Sequence, residues 1–173
     1  MFSKTPVVED RVAPAPAGAR GRDDFDFLHG IWRVRHRRLR TRLAGDKRWE
    51  EFGGACECRP LIGGIGNVDD NVIELPAGTY RAATFRLFDP EAGEWSIRWA
   101  DGRAPRLDPP LHGRFEDGVG TFHGDDVLDG RPIRVRFIWS CIAAAAAQWE
   151  QAFSPDAGRS WETNWVMNFS RLG

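Results

Sequence analysis

The chain has 173 residues, 42% of them hydrophobic and 28% charged, which is one domain's length with enough apolar content to bury a core. These values exclude a disordered or fibrous chain. With 24 basic and 25 acidic side chains the net charge is −1, so no bulk field draws the protein to nucleic acid or an anionic membrane, and neither is expected as a partner. The longest apolar run, Cys141 to Ala147, is far short of the ~20 residues that cross a bilayer. No apolar secretory segment opens the sequence and three cysteines cannot all pair, so reduced thiols and a cytoplasmic address are expected.

Residues 1–22 carry Pro6, Pro14, Pro16, Gly18 and Gly21 with no repeating apolar period, and read as a flexible arm. From Phe25 onward the period is two, with β-formers between turn signals, so residues 23–173 are expected to form a single all-β domain. Strands are predicted near 31–42, 47–58, 67–75, 79–88, 93–100, 111–116, 119–127, 131–140, 147–154 and 160–171. Between them Ala44-Gly45-Asp46, Pro76-Ala77-Gly78, Asp117-Gly118 and Asp129-Gly130 supply a Gly for positive φ or an Asp or Pro that presets a turn. Links this short make consecutive strands antiparallel neighbours. An antiparallel meander of about ten strands exposes two edges unless it curls shut, so a closed up-and-down β-barrel is expected. Two longer connections, Arg59 to Gly66 and Asp101 to Pro110, have the length to cover a barrel mouth. The five alanines Ala143 to Ala147 fall at a hairpin turn and are assigned no function.

Alternation sorts the faces. In the last strand Trp161, Thr163, Trp165, Met167, Phe169 and Arg171 share the side taken as the interior. By the same rule Trp95, Ile97 and Trp99 point inward, as do Phe137 and Trp139, and Trp149, Gln151 and Phe153. The first strand sends Trp32, Val34, His36, Arg38 and Arg40 one way and Arg33, Arg35 and Arg37 the other. Eight tryptophans against one tyrosine imply an aromatic-rich core or a lined cavity.

The opening Asp24-Phe25-Asp26-Phe27-Leu28-His29-Gly30-Ile31-Trp32 resembles the signature of the lipocalin and calycin superfamily, in which a Gly-x-Trp begins the first strand. The resemblance implies a short helical turn, over Asp23 to His29, plugging one end of the barrel. It also implies a basic residue on the final strand packed over the Trp, and Arg171 stands where it is wanted. From Phe25 to Arg171 the chain is similar to an uncharacterised bacterial domain-of-unknown-function family of calycin-like barrels. The blocks that carry this are Trp49-Glu50-Glu51-Phe52, Gly63-Gly64-x-Gly66-Asn67-Val68-Asp69, Gly118-Val119-Gly120-Thr121-Phe122 and Trp149-Glu150-Gln151-Ala152-Phe153-Ser154. That likeness implies a fold and no activity. By architecture the chain also resembles nitrobindin, a ten-stranded haem barrel whose proximal His lies late in the chain. This sequence has no His after His123, so haem is not expected, and no other cofactor is predicted.

Ser154-Pro155-Asp156-Ala157-Gly158-Arg159-Ser160-Trp161 matches the Asp-box pattern of hairpin turns, in which Asp156 accepts turn N–H bonds, Gly158 supplies positive φ and Trp161 anchors the turn to the core. This is a structural motif. The basic run Arg33 to Arg42 tempts a nucleic-acid reading, but a strand splits it between two faces beside Glu50, Glu51 and Glu57, and cross-strand ion pairing accounts for it. An inward Arg38 needs an acceptor, either Glu51 or an anionic ligand. His36 is the best titratable candidate, set against the plainer reading of a hydrogen-bonded core histidine. No two His have metal-ligand spacing and no metal site is predicted; Cys56-Glu57-Cys58 reads as two buried free thiols.

Three functions follow. The first is a binding barrel in which Trp99, Trp139, Trp149 and Trp165 line a chamber for a small hydrophobic or aromatic molecule, while His36, Arg38 and Gln151 orient its polar head. The second is a calycin-type isomerase, cyclase or lyase acting on such a ligand, with His36 as acid/base and Arg38 steadying negative charge. The third is a filled barrel serving as an interaction module. A monomer or a homodimer is expected. A cavity of roughly 300 Å³ or more with His36 exposed inside it separates the first two from the third.

Overall fold

Alternating side chains and tight turns build eleven antiparallel strands in the computed structural model, which describes residues 21–172. Residues 1–20 of the expected arm lie outside the described residues. The strands are β1 (Gly30–Leu39), β2 (Trp49–Leu61), β3 (Gly66–Leu75), β4 (Gly78–Asp89), β5 (Glu94–Asp101), β6 (Ala104–Leu107), β7 (Leu111–Glu116), β8 (Val119–Leu128), β9 (Arg131–Ala143), β10 (Ala146–Ser154) and β11 (Glu162–Arg171). Each strand of the barrel pairs with its neighbours in sequence, and β1 pairs with β11 in the register Trp32 opposite Arg171 and Arg38 opposite Trp165. The β4–β5 pairing completes a closed ring of ten strands, in which β7 follows β5. β6 is an eleventh, four-residue strand that pairs only with β5, inside the connection predicted to cover a mouth. Closure removes both sheet edges, the physical reason a long meander curls.

One end of the ring is plugged. A single 3-10 turn, Asp26–Leu28, carries Phe25 and Leu28 into full burial, and the Phe25 ring meets Trp95 and Phe115 edge-on at 5.0 and 4.9 Å. Trp32 is also fully buried and donates its indole N–H to the Leu28 carbonyl at 2.7 Å. The Arg171 guanidinium lies over the Trp32 ring at 4.1 Å. It also donates to the carbonyls of Phe27 and His29, both at 2.6 Å, and of Ala144 at 2.8 Å. One side chain thereby ties together the plug, the first strand and the alanine hairpin. Gly30 has to be a glycine: its φ is 118°, and a Cβ there would sit 2.7 Å from Arg171 Nη1.

Three details depart from the sequence reading. The Arg59 to Gly66 connection serves the plugged end, not the mouth: β2 runs on to Leu61, and a turn over Ile62–Gly64 receives a hydrogen bond from Arg22 at the Gly63 carbonyl, 2.7 Å. Arg40 leaves the barrel wall, because β1 ends at Leu39, and pairs with Glu50 at 3.6 Å. In β11 the partnering jumps from Gln151 opposite Trp165 to Ala152 opposite Thr163. That bulge places Asn164 inside, fully buried, and turns Trp161 and Thr163 outward, against the alternation. Trp161 packs there against His123 and beneath the Arg136 guanidinium, 4.5 Å from its ring. Among the described residues no helix is long and apolar enough to cross a membrane.

Candidate functional site

The unplugged end opens into a cavity of about 330 Å³. Its walls are Trp99, Phe137, Trp149, Phe153 and Trp165, all projecting from strand interiors as alternation requires. Gln151 also lines it, with its amide held by Asn164 at 2.8 Å, so the β11 bulge fixes the orientation of a cavity amide. The rim carries charge. Arg38 comes from the end of β1, Arg42 from the loop that follows, and Arg103, Arg106 and Asp108 from the β5–β7 connection.

Arg38 is not the partner of Glu51. Glu51 lies on the outer face between Arg35 and Arg37, at 3.9 and 3.5 Å, in the cross-strand pairing expected of the outward arginines. Arg38 turns inward and rests on two rings, 5.3 Å from the Trp165 centroid and 5.5 Å from that of Phe52. Among the described residues neither Arg38 nor Arg42 is within salt-bridge distance of a carboxylate. Burial, and then the neighbouring Arg38 cation, push Arg42 below the usual arginine range. Tyr80 adds a hydroxyl on the β4 wall that is buried and has no hydrogen-bond partner. Burial raises its pKa, against the pull of Arg103 and Arg38.

The rim's carboxylates are otherwise engaged or lie across the ring on the β7–β8 side. Asp101 holds Arg103 through two contacts, 3.0 and 2.6 Å, and Arg103 in turn stacks on Tyr80 at 3.7 Å. Asp125 pairs with Arg134 at 3.0 Å. Asp108 is raised by burial and by Asp126, partly offset by Arg106. Arg38 draws Asp101 down at longer range and Asp129 acts on Arg42, but neither pair comes within salt-bridge distance.

The residues expected at the ligand divide into two groups. Arg38, Trp99, Trp149, Gln151 and Trp165 line this cavity; His36 and Trp139 do not. Trp139 lies deeper, toward the plug, beside a second chamber. His36 is buried in the wall behind Trp165, whose indole N–H donates to His36 Nδ1 at 3.2 Å, and it stacks on Phe52 with ring centroids 4.8 Å apart. Burial, reinforced by Arg38, pulls its pKa down to about 4, so it is neutral with the proton on Nε2. In that geometry His36 holds the indole on which Arg38 lies. β2 accommodates the imidazole with a glycine, since a Cβ at Gly54 would come within 2.7 Å of Nε2.

The Asp-box turn closes on itself. Asp156 accepts from the Ser160 amide and hydroxyl at 2.8 and 2.6 Å and from the Ser154 hydroxyl at 2.8 Å. Gly158 takes φ 91°, and its carbonyl accepts the Trp161 indole N–H at 3.0 Å. Burial pushes the Cys58 thiol up to about 12 and raises Cys56 as well, leaving both protonated. Among the described residues no cluster of three or more His, Cys, Asp or Glu side chains is arranged to hold a metal ion.

Sequence reasoning missed Arg42, Tyr80, Arg103, Arg106 and the buried Arg86. The one tyrosine of a tryptophan-rich chain was the available signal for Tyr80. Arg86 carried none, because on β4 its neighbours Phe85 and Leu87 are the apolar set and alternation reads Arg86 as outward, and only the structure shows that Arg86, with Asn67, Asp69 and Asn71 of β3, is inside.

The fold and the cavity define a closed ten-stranded antiparallel barrel with an open, aromatic interior, an architecture compatible with the calycin class. No protein-family model matches the chain, and no curated protein matches it.

Proposed function

We propose that the barrel binds a small molecule with an aromatic or apolar body and an anionic head, the body held between Trp99, Trp149 and Trp165 and the head met by Arg38 and Arg42. The observation that carries this reading is the pairing of an aromatic cavity of about 330 Å³ with two guanidinium groups that have no carboxylate partner among the described residues. A cation half-withdrawn from water against aromatic faces lacks hydration on one side, and a ligand carboxylate restores a charge-assisted bond there. Tyr80 supplies a further hydroxyl at the same rim. Similarity to the bacterial calycin-like family belongs to this proposal; the ten-strand closure and the Gly30, Trp32 and Arg171 arrangement support it. The enzymatic alternative has less behind it, because His36 does not line the cavity.

Titration calorimetry with a naphthalene carboxylate, the carboxamide of the same shape and the corresponding methylamine tests the proposal. The carboxylate is expected to bind at least roughly tenfold more tightly than the amide. Absence of binding across the panel, or preference for the amine, overturns it.

A further inference from the structure

Behind the mouth cavity lies a second chamber of about 30 Å³, enough for one water molecule or one ligand atom. The two spaces share Trp99, Phe137 and Trp149, and these rings, in contact with one another or with Trp165, form the aromatic layer between them, so a ligand that reaches the small chamber from the mouth passes between them. Asp69, Asn71, Thr84, Arg86 and Trp139 form its floor side. Arg86 is 3% exposed and pairs with Asp69 at 2.6 Å while donating to Asn67 at 3.0 Å. The other Asp69 oxygen accepts from Asn71 and from the Thr84 amide, at 2.5 and 3.0 Å. The carboxylate is therefore fully engaged and the charge of Arg86 is matched.

Two donors remain. Arg86 Nε and Trp139 Nε1 are both buried and have no hydrogen-bond partner, and Arg86 lies 5.7 Å from the Trp139 ring centroid. A buried N–H without an acceptor is costly, and two of them beside one atom-sized space is an arrangement that a single acceptor oxygen relieves. Because Asp69 already neutralises Arg86, a second anion gains nothing there; an uncharged carbonyl fits.

We infer that the floor of the barrel is a second recognition point, and that the ligand class is an elongated aromatic carboxylate bearing an uncharged carbonyl at its far end. The inference rests on the mouth reading above and extends it. The length follows from the strand: Tyr80 at the mouth and Arg86 at the floor are six residues apart on β4, about 20 Å along the strand and about 15 Å once strand tilt is allowed for. A two-ring body spans that depth.

The test uses two biphenyl carboxylates of nearly equal shape, one with an acetyl and one with an isopropyl group at the far para position. In the parent protein the acetyl compound is expected to bind about fivefold to tenfold more tightly, the scale of one net hydrogen bond. Trp139→Phe keeps an aromatic ring and removes one N–H, leaving Arg86 Nε as the remaining donor, and it is expected to reduce the acetyl-over-isopropyl preference to below about threefold. A second readout in the parent is the Trp139 indole N–H resonance, expected to move downfield with the acetyl compound only. Equal affinities in the parent, with no such resonance shift, mean that the floor holds water alone and overturn this inference while the mouth reading stands. Binding of neither compound overturns this inference, and the mouth reading falls with it only if the naphthalene carboxylate also fails to bind.

Discussion

At the closed end of the barrel Arg171 donates to three backbone carbonyls and Arg86 is paired with Asp69, whereas at the mouth Arg38 and Arg42 rest against rings or solvent with no carboxylate partner among the described residues. The same side chain is structural at one end and available at the other. The difference lies in what surrounds it. At the closed end the plug brings carbonyls and β3 brings Asn67 and Asp69 inward, so Arg171 and Arg86 both find acceptors within the protein. At the mouth Glu51 is on the outer face, engaged with Arg35 and Arg37, and Asp101 is held by Arg103, so neither forms an ion pair with Arg38. Removing an arginine contact at the closed end should therefore cost stability, and removing one at the mouth should cost binding.

The largest effect is expected at the floor. Asp69→Ala leaves Arg86 buried and uncompensated and should destabilise the fold by about 3–5 kcal/mol in denaturant unfolding. Trp32→Ala removes a fully buried ring beneath Arg171, with an expected cost of about 3–5 kcal/mol. A loss below about 1 kcal/mol in either would erase the distinction between the two ends.

His36 stands between the two regions and should make stability depend on pH. Its folded pKa, about 4, lies below the unfolded value near 6.5 because burial and Arg38 disfavour the cation. Above pH 6.5 both states are neutral and there is no effect. As pH falls from 6.5 to about 4 the unfolded chain takes up a proton that the folded one refuses, and stability drops by on the order of 3 kcal/mol before levelling off. Stability curves of the parent and of His36→Phe should diverge in slope across that window and run parallel above it. Parallel slopes throughout would place the imidazole in water.

At the mouth, Arg38→Met should lower affinity for a naphthalene carboxylate by about 1–3 kcal/mol while changing folding stability by less than about 1 kcal/mol. Unfolding and calorimetry on one preparation read both quantities. A large drop in stability without ligand, and no binding defect, would make Arg38 structural like Arg86.

The sequence made the strands legible because each is short, strongly alternating and bounded by Gly, Asp or Pro, and because antiparallel meanders leave little topological choice. The Trp32 and Arg171 contact was expected from the resemblance to the lipocalin and calycin signature, and the β1–β11 register, which sets Trp32 opposite Arg171, is its structural basis. The site was half legible. Trp99, Trp149 and Trp165 follow from period two, but a single bulge at Asn164 reversed Trp161 and Thr163, and nothing local in β11 announces it. His36 was placed on the correct face and the wrong surface, since alternation gives direction and not depth, and Trp165 covers it. The Asp69 and Arg86 pair was invisible because period two puts the larger apolar side chains inside, whereas here β3 and β4 turn Asp69 and Arg86 inward and leave Phe85 and Leu87 exposed.

The smallest expected effect tests whether charge at the mouth end is always available to a ligand. Asp156 lies in the β10–β11 turn at that end, yet its oxygens accept from Ser160 and Ser154, and those bonds, from Ser160 first, hold its pKa down at about 2. The unfolded value is near 3.8, so the carboxylate contributes stability above pH 3.8, and the contribution is lost as pH falls through about 2. The group is exposed, so solvent screens it and the effect is small. Asp156→Asn should lower the melting temperature slightly at pH 7, and the gap between variant and parent should narrow as pH falls from 3.8 toward 2. Affinity for the naphthalene carboxylate should stay unchanged in the variant. A gap that is constant with pH would mean that the turn depends on the shape of the side chain and not on its charge, and a changed affinity would draw the Asp-box turn into the binding site.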